Sequence, residues 1–503
     1  RIIHSLSSSE KRYFKLFANA KSDRNNKYLI LFNAIEAQSV FDDDALRQLI
    51  YEGQSIQSRK YSELKAYLLD LILKSLQAYD EKTSISYRMK HILQSIRVLY
   101  KRALFDDCFE FLQKGYKFAE KYERHSDVLA LCEWEKELAY AKTDIPYLDK
   151  SLEQIQTREQ KAIAAIQNLK EYRDLFFQLL VSLRKDASLR EPAERDRLRQ
   201  MLQTPLLESI ERAASHQAKV LYHRIYVFYY YIIADYNNFY EEGLRLVHLM
   251  ESQQHFLKEE VKEYISALSN LAISCMRTQN YVALEATLKK IKAIHPLTKD
   301  DELKIHRQYY TLYFRWCIDT GNFEEGLRAL EQHFQDMPAN NARLFETDSF
   351  YFQYFYIYFG VGQYDEALDY LNKWLNTPRS VQRQDLQGVA RILNLIIHFE
   401  MGNTLLLESL LRATYRFLRK RNRLYQYEEA VLQFIQRTTK LQSRKEMKAS
   451  FVAIKERFAA LRDDPRERFM LQLFDLEAWL ESKISNTSFA QIKLEKYNSG
   501  EFN

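Results

Sequence analysis

Five segments of the chain repeat one another at a nearly constant interval, and that interval limits the fold more than any other feature. NFYEEGLRLV (238–247) recurs as GNFEEGLRAL (321–330); QNYVALEATL (279–288) lies between them, and GQYDEALDYL (362–371) and the weaker GNTLLLESLL (402–411) follow. Their first residues stand at 238, 279, 321, 362 and 402, steps of 41, 42, 41 and 40. A period of this size marks stacked supersecondary units that share one continuous core. Each copy has the same internal order. An aromatic-rich segment ends at Asn238, Gln279, Gly321, Gly362 or Gly402, where a helix C-cap takes a positive φ. An acidic pair such as Glu324–Glu325 or Asp365–Glu366 then opens a second helix, because negative charge is favoured beside the exposed amides of a first turn. A small residue follows, Gly243, Gly326 or Ala367, and lets two helices approach closely; Pro338 and Pro378 close two of the units.

The units are helical rather than stranded. The 503 residues hold 10 glycines and 7 prolines, with no glycine between Gly115 and Gly243, whereas sheets need turns that draw on these residues. Apolar residues in LKAYLLDLILKSLQAY (64–79) and FMLQLFDLEAWLESK (469–483) recur at three and four, the period of a helix face. The expected class is all-α. The chain is too long for one ordinary core.

The repeat resembles the tetratricopeptide repeat. Tyr313 and Phe314 stand where that motif has its large-then-small pair, and Gly321, Phe323, Gly326, Leu330 and Pro338 follow at its spacing. Tyr354, Phe355, Tyr358, Gly362, Tyr364, Ala367 and Leu371 do the same one copy later. The resemblance implies a superhelical array of antiparallel helix pairs with a concave inner groove. By repeat position, Phe228, Met276, Gln308, Arg315, Phe352 and Tyr356 face that groove. Two departures matter. The period is about 41 rather than about 34, and Phe314, Phe355 or Tyr231 replaces the motif's small residue. Longer helices with thicker aromatic packing follow; residues 298–321 read as one helix from a Thr/Asp cap to Gly321. The basic and asparagine residues with which some tetratricopeptide domains clamp a peptide carboxylate are not visible at the groove positions.

Five regions are expected: an N-terminal helical region (1–90), hairpins and long helices (91–205), the tetratricopeptide-like array (206–440), capping helices (441–483) and a loose polar tail (484–503). The first region opens with a capping box, Ser7 to Glu10, and has a second helix start at Asp42–Asp44. Residues 149–189 run without a breaker, Pro192 and Pro205 mark the likeliest internal boundary, and Asp464–Pro465 reads as a helix start reaching to about Lys483.

Several function classes find no support. Cys108, Cys132, Cys275 and Cys317 are scattered without a close pair, which fits a reducing compartment and neither a disulfide framework nor a zinc site. The longest apolar run, IYVFYYYIIA (225–234), is half of what a bilayer requires. With no signal peptide visible either, a cytoplasmic location is expected. No phosphate loop, zinc-protease motif or nucleophile elbow occurs, and the 11 histidines are scattered. An enzyme is therefore not expected, nor a metal or cofactor. The tyrosines of 222–245 follow three-to-four spacing, which reads as helix packing rather than a base-stacking platform.

One charge feature remains. Residues 411–450 carry eleven basic against three acidic residues, +8, while the whole chain is +6. Arg412, Arg416, Arg419, Lys420, Arg421 and Arg423 form its core, at the spacing of one helical ridge. The leading expectation is a non-catalytic scaffold or adaptor that binds a protein or peptide in the groove. The alternatives are a factor bound to RNA, the ribosome or the transcription machinery through the 412–448 ridge, and a peptide-sensing regulator.

Overall fold

A computed structural model describes residues 2–19, 27–38, 41–51, 58–80, 84–185, 198–337, 345–376, 384–420, 426–439, 441, 443–461 and 473–500. The described residues are helical throughout their regular structure, with no strand, and neighbouring helices pack in pairs. Two compact units result: residues 1–284 with 295–303, and residues 285–294 with 304–503.

After a short helix, Ile2–Ser5, the first unit continues with Ser8–Asn19, Lys27–Ala37, Asp43–Tyr51 and Ser58–Asp80, around Phe14, Leu31, Phe32, Leu46 and Leu68. The Ser8–Asn19 helix starts with the expected capping box. The Ser7 amide donates to Glu10 Oε2 (2.6 Å) and the Glu10 amide to Ser7 Oγ (3.2 Å). Asp42 Oδ1 likewise takes the amides of Asp44 and Ala45. Hairpins follow: Ile85–Tyr100 with Phe105–Lys121, His125–Ala141 with Ile145–Lys185, His216–Ile232 with Tyr236–Ser252. Residues 145–185 form a single helix of 41 residues. Beyond it, Pro205–Leu207 is a 3₁₀ turn capped by Thr204.

The turns inside the pairs share one device. Ala103, Thr143, Ala234 and Gln279 have φ of 57°, 56°, 60° and 58°, and Gly362 and Gly402 have 81° and 70°. In each, the next amide reaches back to a carbonyl five residues earlier, as from Leu104 to Leu99 (3.2 Å), Asp235 to Tyr230 (3.0 Å) and Gln363 to Tyr358 (2.9 Å). This is the Schellman closure of a helix C-terminus. It stands where the repeat places it at Gln279, Gly362 and Gly402, and Gly321 is left-handed too (φ 79°). The earliest copy differs. Its helix ends at Ile232 and the partner begins at Tyr236, so the turn is at Ala234–Asp235 rather than Asn238. Asp235 Oδ1 caps the Asn238 amide (3.2 Å) and starts the second helix one turn early, leaving Gly243 in register. A Cβ on Gly243 would stand 3.5 Å from Leu271 Cδ1, and one on Gly326 3.2 Å from Cys317 Cβ. Both positions permit close helix approach.

Lys299–Thr320 is the single helix expected, closed at its start by a reciprocal cap between Thr298 and Asp301. The second unit continues through Phe323–Asp336, Asp348–Val361, Tyr364–Leu375, Gln384–Glu400, Thr404–Lys420, Gln426–Thr438 and Arg444–Leu461. Phe314, Phe350, Phe355, Phe359 and Trp374 are buried in its core. Aromatic residues therefore occupy the small-residue positions at Phe314 and Phe355, whereas Tyr231 is exposed and lies against Phe239. In the 216–232 helix the buried residues include Val220, Leu221, His223, Ile225 and Val227; Tyr222, Tyr226, Tyr229 and Tyr230 are only half-buried. Tyr226 keeps its hydroxyl satisfied on the Leu207 carbonyl (2.9 Å).

The end of the chain departs from expectation. Residues 484–503 read as a loose tail, yet Phe489–Ser499 is a helix that buries Phe489 and Ile492. The ring of Phe489 stacks on Phe474 (5.7 Å, 7°) and Phe323 (5.7 Å). The helix it follows runs from Leu476 to Ser485; Pro192, Pro338, Pro378 and Asp464–Pro465 lie outside the described residues. No helix among those described is long and apolar enough to cross a membrane.

Candidate functional site

The expected groove positions divide between the two units. In the second, Arg315 is held by Asp319 (2.9 Å) and Gln308 is half-buried. Phe352 packs edge-on against Trp374 (5.4 Å) and Tyr356 (5.7 Å). Tyr356 is not groove-facing: it is 2% exposed, stacks with Phe323, and its oxygen accepts the Asp475 amide (3.0 Å). The chain's own C-terminal segment fills that place. It is fastened there by Asp475, which caps the Leu476–Ser485 helix and pairs with Lys493 (3.2 Å). Buried Glu400 adds a second tie, accepting the Trp479 indole N–H (2.6 Å) and the Lys483 ammonium.

In the first unit Met276 is half-buried and Phe228 lies edge-on to Phe176 (5.4 Å). Phe176 is the wall of an open cleft of about 440 Å³. The 145–185 helix gives it Arg173, Phe176 and Phe177; the 216–232 helix gives Leu221 and Arg224; Phe256, Glu259, Glu260 and Glu263 line it as well. Arg224 follows buried His223 and precedes buried Ile225. Its guanidinium stacks 4.4 Å over the Phe176 ring. Burial lowers its pKa, opposed by Glu263 and Glu260. Neither Arg224 nor Arg173 has a hydrogen bond or ion pair among the described residues, and neither does Glu263. Their neighbours are engaged. Arg124 pairs with Asp127 (2.7 Å), Glu259 takes the Ile85 amide (3.3 Å), and Glu260 Oε2 is 3.4 Å from His216 Nε2. Arg224 sits inside the aromatic stretch YHRIYVFYYY. A cation within an aromatic run was the available signal; its partner Phe176, 48 positions upstream, was not legible.

The basic ridge is exposed. Arg412, Arg416, Arg419 and Lys420 lie on the solvent face of the 404–420 helix, with Tyr415, Leu406 and the 94%-exposed Leu405 on the same helix. None of the four cations has an acidic partner among the described residues; Arg416 only reaches the Arg412 carbonyl (3.3 Å). Arg437, Arg444, Lys445 and Lys448 are exposed on the next two helices. Arg421 and Arg423 lie outside the described residues.

Two buried polar clusters lie apart from the cleft and the ridge. Glu135 accepts the hydroxyls of Tyr116 (2.6 Å) and Tyr147 (2.5 Å) and pairs with Arg158 (3.1 Å), so it joins three helices with its oxygens saturated. His333 is fully buried, with Nδ1 3.0 Å from His306 and Nε2 2.6 Å from the Tyr354 hydroxyl. Burial, helped by His306, pushes its pKa down to about 3, so the ring is neutral. A charge-saturated carboxylate and a locked neutral imidazole offer no free group to a substrate. The chain matches no protein-family model, no curated protein and no solved structure.

Proposed function

We infer that the chain is a non-catalytic scaffold or adaptor whose helix pairs continue as a tetratricopeptide-like superhelix, and that it docks an acidic protein surface on the 404–420 helix. One observation carries this reading: four exposed, unpaired cations share that helix with exposed Leu405, Leu406 and Tyr415. Arginine and tyrosine beside apolar side chains are the residues that dominate protein–protein contacts. A phosphate-binding ridge needs only the charge. The recurring left-handed turns at 279, 321, 362 and 402 support the repeat architecture. Tyr356 takes no part, because the chain covers it itself.

The test uses the full chain and a triple variant, Arg412→Glu, Arg416→Glu and Arg419→Glu. An acidic helical peptide with apolar residues on one face should bind the native protein and lose about tenfold or more in affinity to the variant. Leu405→Asp should weaken it further. Equal binding by the triple variant removes the reading. Binding of single-stranded RNA with a steep salt slope, lost in the triple variant while Leu405→Asp has no effect, assigns the face to nucleic acid instead.

A further inference from the structure

We propose that the cleft between the 145–185, 216–232 and 261–277 helices binds a small zwitterion with an apolar side group, a hydrophobic amino acid or a peptide of two or three residues. Its carboxylate meets Arg224 and Arg173, and its ammonium meets Glu263. This site is in the first unit and is independent of the basic face.

Three observations point the same way. The cleft's volume of about 440 Å³ falls within the range of small-ligand sites. Its walls at Phe176, Phe177 and Phe256 are aromatic, suited to an apolar side group. Arg224, Arg173 and Glu263 all line it without pairing: no ion pair joins either arginine to Glu263. A half-buried guanidinium without an ion pair is costly, and among the described residues Arg224 has only the ring beneath it and the field of Glu263 and Glu260. That ring holds the planar fork in one orientation, a geometry matched to a carboxylate. A simple anion would satisfy the arginines but meet Glu259, Glu260 and Glu263 in the same cleft, and a simple cation would meet the reverse. Only a ligand carrying both signs is favoured by both sets of groups.

Titration calorimetry of the full chain with phenylalanine and with Phe–Phe tests this. Saturable binding is expected, with the N-acetylated and the C-amidated dipeptides each weakened about tenfold or more. Arg224→Gln should weaken the free dipeptide by a similar factor and leave the amidated form unaffected; Glu263→Gln should do the same for the acetylated form. Should Arg224→Gln fail to fold by circular dichroism, exposed Arg173→Gln and the blocked ligands on native protein decide the matter. The proposal is overturned by absence of saturable binding of both free ligands, by equal binding of free and blocked forms, or by variants that bind as the native protein does. Inorganic phosphate binding more tightly than the dipeptide overturns it as well, by making the site one for anions.

Discussion

His333 shows how a single side chain couples this fold to pH. Its folded pKa of about 3 lies below the ordinary value of ~6.5. The stabilisation from keeping it neutral is complete above about pH 6.5 and is lost as pH falls toward 3. Between about pH 6 and 4 the native protein should lose up to ~1.4 kcal/mol per pH unit that a His333→Gln variant does not lose. Denaturant titrations of both proteins across that range check this; parallel slopes refute it. Gly360 is constrained by space. A Cβ there would lie 2.2 Å from the Phe323 ring, and that ring is itself clamped between Tyr356 and Phe489. Gly360→Ala should cost about 1–3 kcal/mol by forcing the ring aside, measured as a shift in the unfolding midpoint.

Among elements, the C-terminal helix carries the clearest consequence. Truncation after Asn486 should uncover Phe323, Tyr356 and Phe474 and raise binding of a hydrophobic dye, and Phe489→Ala alone should cost about 3 kcal/mol. A tail without structural role would leave both observables unchanged. Sequence missed this helix for a physical reason. Only Phe489 and Ile492 are buried in its 11 residues, too few to print a three-to-four stripe, and its anchors Phe323 and Phe474 belong to other elements. Where each residue's role is local, the sequence was transparent. The caps at Ser7–Glu10 and Thr298–Asp301 and the left-handed positions Gly362 and Gly402 were readable because both partners lie within a few residues. The turn at Ala234 was not, since no glycine marks it. The candidate site was the least legible part. Arg224 and Phe176 meet across two helices, and the groove position at Tyr356 was inferred from a repeat pattern blind to what the C-terminus covers.

At the scale of the whole molecule, burial of the thiols gives a direct probe of integrity. Cys108, Cys132 and Cys275 of the first unit and Cys317 of the second are free and fully buried, and burial pushes the Cys317 thiol up to about 12. Reactivity requires an exposed thiolate. A thiol reagent at neutral pH should therefore label almost none of the four in the native protein and all four in denaturant, with labelling of each unit timed by its own opening. Rapid native labelling of Cys317 would contradict the packing described for it. The left-handed turns lead to a last consequence, for engineering. At Ala103, Thr143, Ala234 and Gln279 the residue is exposed and not glycine, so each carries a Cβ in a conformation that disfavours it by roughly 1–2 kcal/mol. Glycine there relieves that penalty and gives back about half of it through a freer unfolded chain. Because the four lie in separate turns, their gains add: the quadruple glycine variant should melt several degrees higher, making added flexibility in the sequence the route to a more heat-resistant protein.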